Sequence, residues 1–452
     1  MARGATKVIA FAVYPGVDAL DLVGPLTVLR DLKPRSPIRT VVVGASSDPL
    51  PTNTPLKYEG AASFADVPEP YALFVPGGGP AALEAARDEA LLTYIRQAAA
   101  KAEVIGSFGN GALILAAAGL LNDEPVAIHW AWRNDLESRG GRASDEMWVD
   151  HGRQLTAAGG SAGMDLMLAL NARLKSRADS VLAQLAMEYD PEPPFGPLQR
   201  TPDPDLEAAL HSAPVTANSD ATTIALVLYP DLTLLDLVGP LQVLATLERL
   251  DPRFRAVVVS DHVEAMPTDV PLRAVADASF GDVPHPQLIV VPGGRRGTIR
   301  AMSDPAVRAY VESSAASAEL VTSVCTGSLI LGAAGLLEGR PATTNWFFSG
   351  VLDQFGARYR RQRWVHDGNV IMSAGVSAGI DMALYLVAHL TGEATARRVQ
   401  LALEYDPRPP FGGIKWEQVP MVARLLRAGI GASAPFLARK AKRMQVHARA
   451  AA

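Results

Sequence analysis

The chain has 452 residues, of which 48% are apolar and 20% charged, with a net charge of −5. That length exceeds one ordinary core and the composition is that of soluble globular domains, so two domains are expected. The acidic balance argues against a nucleic-acid-binding protein as a whole. A single cysteine excludes any disulfide within the chain, and the start, Met1-Ala2-Arg3-Gly4-Ala5-Thr6-Lys7, lacks the apolar run of a signal peptide; a cytoplasmic protein is expected.

In chain order, the sequence is written twice. Leu20-Asp21-Leu22-Val23-Gly24-Pro25-Leu26 returns as Leu235-Asp236-Leu237-Val238-Gly239-Pro240-Leu241, and Val75-Pro76-Gly77-Gly78 returns as Val291-Pro292-Gly293-Gly294. Ser161-Ala162-Gly163-Met164-Asp165 and Glu188-Tyr189-Asp190-Pro191 reappear from Ser377 and Glu404, at an offset of 215 or 216 residues throughout. A period that long is a duplicated domain, not a solenoid. The reading is a first domain over 1–190, a linker over 191–220, a second domain over 221–413 and a helical tail over 414–452. The linker holds seven prolines and is given one short helix around Leu206 to Leu210.

Each copy reads strand, helix, strand, strand, helix, strand, helix. In the second, Thr223 to Tyr229 is a strand, Asp236 to Leu250 a helix, Phe254 to Ser260 a strand and Gln287 to Val291 another. Ala301 to Ala318 is helical, Leu320 to Val324 a strand and Ser328 to Leu337 a helix. Apolar strands alternating with helices predict an α/β sandwich with a mostly parallel sheet. Two uncharged runs, Val104 to Leu121 and Leu320 to Leu337, reach membrane-span length, but turn signals at Gly109-Asn110-Gly111 and Cys325-Thr326-Gly327 make each a buried strand plus a buried helix. No membrane partner is expected. The basic run Arg439-Lys440-Ala441-Lys442-Arg443 is read as a solvated surface helix, so no nucleic-acid partner is expected either.

Cys325 sits at the elbow between its strand and helix. A helix N-terminus favours an anion and can lower a thiol pKa from about 8.5 to between roughly 4 and 7, so a thiolate nucleophile is expected; a buried structural cysteine is the other reading. Asp236, Gly293-Gly294 and Cys325 all follow strand ends, and such sheets place their sites on that rim. Asp236 reads alternatively as a first-turn acid of its own helix. The eight histidines show no metal-ligand spacing, and there is neither a Walker A loop nor a G-x-G-x-x-G after the first strand of either half, so no metal and no nucleotide cofactor are expected.

Leu235-Asp236-Leu237-Val238-Gly239-Pro240, Val291-Pro292-Gly293-Gly294, Ser323-Val324-Cys325-Thr326-Gly327 and Ala342-Thr343-Thr344 together resemble the DJ-1/PfpI superfamily and, within it, the isonitrile (isocyanide) hydratases. The resemblance covers nearly all of both halves. It implies two flavodoxin-like three-layer sandwiches in tandem, with Cys325 as nucleophile, Asp236 as the carboxylate beside it and Thr326 as the third catalytic position. Gly293, Gly294, Asn345 and Trp346 are the candidate substrate-binding residues. Many relatives carry a histidine at Asn345, so a histidine base beside the thiol is not expected.

The expected reaction is hydration of an isonitrile to an N-substituted formamide through a thioimidate on Cys325. Glyoxalase or deglycase chemistry on α-oxoaldehydes, and a non-catalytic sensor, are the alternatives. In the first half Gly109 and Asn110 stand at the positions of Cys325 and Thr326, while Asp21 and His129 stand at those of Asp236 and Asn345. The first half is therefore expected to be a partner domain without a nucleophile, packed on the second as a covalent pseudo-dimer.

Overall fold

The computed structural model describes residues 6–30, 38–201, 203–213 and 217–451, and side chains as far as Arg439. Parts of the expected linker (202, 214–216) and the side chains of the basic run beyond Arg439 lie outside the described residues.

Each half is built on a seven-stranded sheet. In the first, the strands are β1 (Lys7–Ala12), β2 (Ile38–Gly44), β3 (Ala62–Ser63), β4 (Ala72–Val75), β5 (Val104–Phe108), β6 (Trp148–His151) and β7 (Gln154–Ala157), in spatial order β3-β2-β1-β4-β5-β7-β6. In the second they are β8 (Thr222–Val227), β9 (Phe254–Ser260), β10 (Ala278–Ser279), β11 (Leu288–Val291), β12 (Leu320–Val324), β13 (Trp364–Asp367) and β14 (Val370–Ser373), in the equivalent order β10-β9-β8-β11-β12-β14-β13. Within these two sheets, among the described residues, only the edge pairs β6–β7 and β13–β14 are antiparallel. β11 and β12 are buried at every position, as strands covered on both faces must be. Parallel registry, Leu288 with Leu320 and Ile224 with Leu288, brings the carboxyl ends of β8, β11 and β12 to one edge.

The principal helices are α1 (Ala19–Leu29), α2 (Gly160–Leu174) and α3 (Arg177–Met187) in the first half, then α4 (Leu234–Leu250), α5 (Gly327–Ala333), α6 (Val376–Thr391), α7 (Glu393–Ala402) and α8 (Met421–Ala451). Two helix expectations are corrected. The segment Ala301 to Ala318 is two helices, Arg295–Ala301 and Pro305–Ser317. Asp304 restarts the chain by accepting from the amides of Ala306 at 3.0 Å and Val307 at 3.2 Å, with proline in the first turn. The helix after the cysteine ends at Ala333, short of Leu337, because Gly335 takes φ +81°.

The halves pack intimately. α1 lies against α4, and the strand Lys57–Glu59 pairs antiparallel with Arg273–Val275 in a four-stranded sheet drawn equally from both halves. The segment read as a linker forms the helix Pro204–His211, with Leu206 fully buried beside Leu401, and Arg200 pairs with Glu404 at 3.0 Å. Among the described residues, only the stretch Met421–Arg439 of α8 is long and apolar enough to cross a membrane by length and composition alone; here its Ala423, Ala434 and Ala438 are buried against the protein.

Candidate active site

Cys325 occupies the left-handed region at φ +55°, between β12 and the first turn of α5. A side chain there costs about 1–3 kcal/mol and persists only where its surroundings impose it. They do: the Cys325 amide donates to the Ser373 carbonyl at 3.0 Å, and its own carbonyl accepts from the hydroxyls of Ser328 at 3.2 Å and Thr344 at 3.1 Å. Thr326 is buried, accepts the Gly294 amide at 3.0 Å and meets the Thr298 hydroxyl at 2.9 Å. Its hydroxyl thus ties the elbow to the Gly-Gly turn. A methyl on Gly293 would lie 2.6 Å from the Thr326 nitrogen and 2.8 Å from the Asp236 carboxyl, and one on Gly294 would lie 2.5 Å from the backbone of Leu232. Only glycine fits either place.

Asp236 is wholly buried in the first turn of α4. The Cys325 thiol and the Gly293 amide adjoin its carboxyl, yet neither oxygen completes a hydrogen bond among the described residues. Burial drives its pKa up to about 7; the neighbouring thiol, Arg30 and Gly293 pull the other way without undoing this. The thiol itself is pushed well above the ordinary cysteine value, first by burial and then by the charges of Asp236 and Glu188. These influences oppose the helix-end effect expected from the sequence: α5 has only seven residues, and desolvation and two carboxyls act against its dipole. The thiol and Asp236 compete for one proton.

The thiol opens into a cavity of about 430 Å3. Its walls are largely apolar, with Leu185 and Met187 from α3, Phe347 and Phe348, and Val422, Leu426 and Ile430 from α8. Arg30 and Arg295 are its guanidinium groups, and both are placed to stabilise a negative charge on the sulfur. Of the residues nominated from sequence, Cys325, Thr326 and Asn345 line this cavity, with Asp236 immediately behind the sulfur. Gly293 and Gly294 stand behind the elbow. Trp346 is turned aside against Trp416, ring centroids 5.8 Å apart, beneath the Arg427 guanidinium.

Sequence reasoning missed the residues that the first half supplies. Arg30, at the C-terminal end of α1, pairs with Asp269. Glu188 takes φ +48°, is buried, and accepts the Trp346 amide with its carboxyl; burial raises its pKa to about 8. The repeated Glu-Tyr-Asp-Pro motif was the available signal. Its second copy does the reciprocal, Glu404 accepting the Trp130 amide at 3.0 Å.

The first half keeps the elbow without the sulfur. Gly109 takes φ +53°, and Asn110 replaces the threonine bond, its side-chain oxygen accepting the amides of Gly78 at 3.0 Å and Gly79 at 3.2 Å.

Comparison with known proteins gives matches over both halves. The model of the DJ-1/PfpI family matches residues 7–173 and 222–389. The chain is similar to isonitrile hydratase of Pseudomonas putida, 43% identical over 191 residues, 42% of this chain and 82% of that protein. It is also similar to the Parkinson disease protein 7 homolog of Danio rerio, 30% identical over 135 residues, 28% of this chain and 69% of that protein. Among solved structures, a ThiJ/PfpI family protein from Pseudomonas syringae is 36% identical with a TM-score of 0.44, covering 52% of this chain and 97% of that one.

Proposed function

We propose, from the premise that the chain belongs to the DJ-1/PfpI family across both halves, that its second half hydrates an isonitrile to the N-substituted formamide. The observation that carries this reading is the thiol of Cys325 on a left-handed elbow at the foot of a largely apolar cavity, with the wholly buried carboxyl of Asp236 beside it. The 43% identity to an isonitrile hydratase supports it.

In the reacting form the proton is on Asp236 and the sulfur is a thiolate, held by the charges of Arg30 and Arg295. The sulfur's electron pair forms the bond to the terminal carbon of R–N≡C, and the Asp236 proton ends on that carbon, giving the thioimidate R–N=CH–S. Asp236, now a carboxylate, removes a proton from water as the water oxygen adds to the same carbon, and returns it to the nitrogen. The carbon–sulfur bond then breaks, sulfur leaves with its pair, Asp236 regains the hydroxyl proton, and R–NH–CHO departs. These steps call on side chains and water alone. Thr326 positions the elbow and Asn345 borders the substrate; the apolar walls suit an R group of hydrocarbon character. Because Arg30 and Glu188 come from the first half, the two halves act as a covalent pseudo-dimer with one live site. A reducing cytoplasm would keep the thiol reduced.

Incubating the purified chain with p-nitrophenyl isocyanide and, separately, methylglyoxal tests this. Formamide is expected, abolished in Cys325→Ala. Lactate would move the assignment to glyoxalase chemistry, and neither product would leave a non-catalytic sensor.

A further inference from the structure

The first half retains a cavity of about 390 Å3 at the position where the second has its thiol. Position-by-position matching of the copies shows that the charges around the elbow differ. Arg30 and Arg295, which line the thiol cavity, correspond at the same 215 and 216 offsets to Ala245 and Gly79, which line the first-half cavity. Thr233 corresponds to Asp18, and the Asp236 carboxyl is retained as Asp21. At these matched positions two positive charges have gone and one acid has been added; Glu248 and Arg249 also line the first-half cavity, and Lys175 and Asp179 the thiol cavity. Gly109 has removed the nucleophile together with its bulk.

Among the described residues, no cationic side chain pairs with these acids. Asp18 accepts from the amides of Leu20 and Asp21, each at 2.9 Å, and from the side chains of Asn53 at 2.6 Å and Gln242 at 3.2 Å, all neutral donors. Asp21 accepts the Gly77 amide at 3.1 Å. Arg249, also in the lining, is turned to the carbonyls of Ala209 at 2.8 Å and Leu210 at 3.0 Å. His129 is neutral, its pKa driven down to about 4 by burial, with its ring between the Ala402 carbonyl and the Ala131 amide. Burial, and the charge of Asp18 on Asp21, raise both acids. Gln242, 5% exposed, lines the cavity through its side chain, whose enclosed oxygen has no donor among the described residues.

We infer that this cavity is a non-covalent binding site for a small organic cation, an alkyl- or arylammonium ion. Its N–H groups are taken by the carboxyls of Asp18 and Asp21, the latter with one oxygen bonded to the Gly77 amide, and its hydrocarbon part lies against Trp132. The volume lies in the range of small-molecule sites, about 300–1,000 Å3, and a cation restores the charge balance that the exchanged arginines would have supplied.

Calorimetric titration of the full chain with benzylammonium chloride and, separately, benzyl alcohol tests the inference. One equivalent of benzylammonium is expected to bind at least about tenfold more tightly than the isosteric alcohol. Asp21→Asn is expected to weaken it by about tenfold or more, and Ala245→Arg, which imports the second half's guanidinium, to abolish it, while Cys325→Ala leaves it unchanged. Unfolding midpoints establish that each variant folds, and the isosteric Asp21→Asn decides alone should Ala245→Arg fail to fold. Equal affinity for the alcohol, binding indifferent to Asp21→Asn in a folded variant, or loss of binding in Cys325→Ala would overturn the inference.

Discussion

Cys325 gains its character from opposed influences. The left-handed backbone and the first turn of α5 present the sulfur, while burial and two carboxyls hold its proton on. Alkylation by iodoacetamide is therefore expected to be slow at neutral pH and still rising beyond the ordinary cysteine range, about 8.5. Asp236→Asn removes the nearer negative charge, so the alkylation profile moves to lower pH while turnover falls by about 10²–10⁴-fold for want of the acid and base. An unmoved profile would separate the two groups. The elbow and its partner acid were legible because each lies in a local motif that recurs. The direction of the thiol's shift was not, since the helix end is visible in the sequence whereas the desolvation and Glu188 come from packing across 137 residues of chain (325 − 188).

The Gly-Gly turn and the interface helices decide how firmly that elbow is held. A side chain at Gly293 meets backbone rather than a yielding rotamer, so Gly293→Ala is expected to cost about 1–3 kcal/mol in urea unfolding and to lower turnover by displacing Thr326; wild-type stability would contradict this. Arg30→Ala leaves the Asp269 carboxyl without its partner and the thiol cavity without one guanidinium. It is expected to cost about 3–5 kcal/mol and to impair the second half's activity from a residue of the first, measured by unfolding and by kcat/KM. The alternation of apolar strands and helices was readable because both faces of the sheet are buried. The two-residue strands and the sheet shared between the halves were not, since so few residues carry no periodicity and their pairing is non-local.

Across the interface, the pseudo-symmetric pair Glu188 and Glu404, together with Asp165 and Asp236, places four carboxyls in the interior. Burial raises Asp165, Asp236 and Glu404 to about 7 and Glu188 to about 8, against about 4 when unfolded. Between those limits the folded chain binds more protons than the unfolded one, so these groups make stability fall as pH rises from about 4 to about 8. The midpoint of thermal unfolding is expected to drop by several degrees between pH 5 and pH 8; a rise would mean that these carboxyls are ionised and paired. One sequence thus holds two copies of a scaffold, one with a thiol between arginines and one with acids facing an empty elbow. The most direct test of the thiol's role is intact-mass measurement after acid quench within a single turnover of p-nitrophenyl isocyanide. A mass gain of one isocyanide on the intact chain, decaying as formamide appears and missing in Cys325→Ala, is the result expected, whereas formamide formed at the same rate by Cys325→Ala, with no adduct on the wild type, would contradict it.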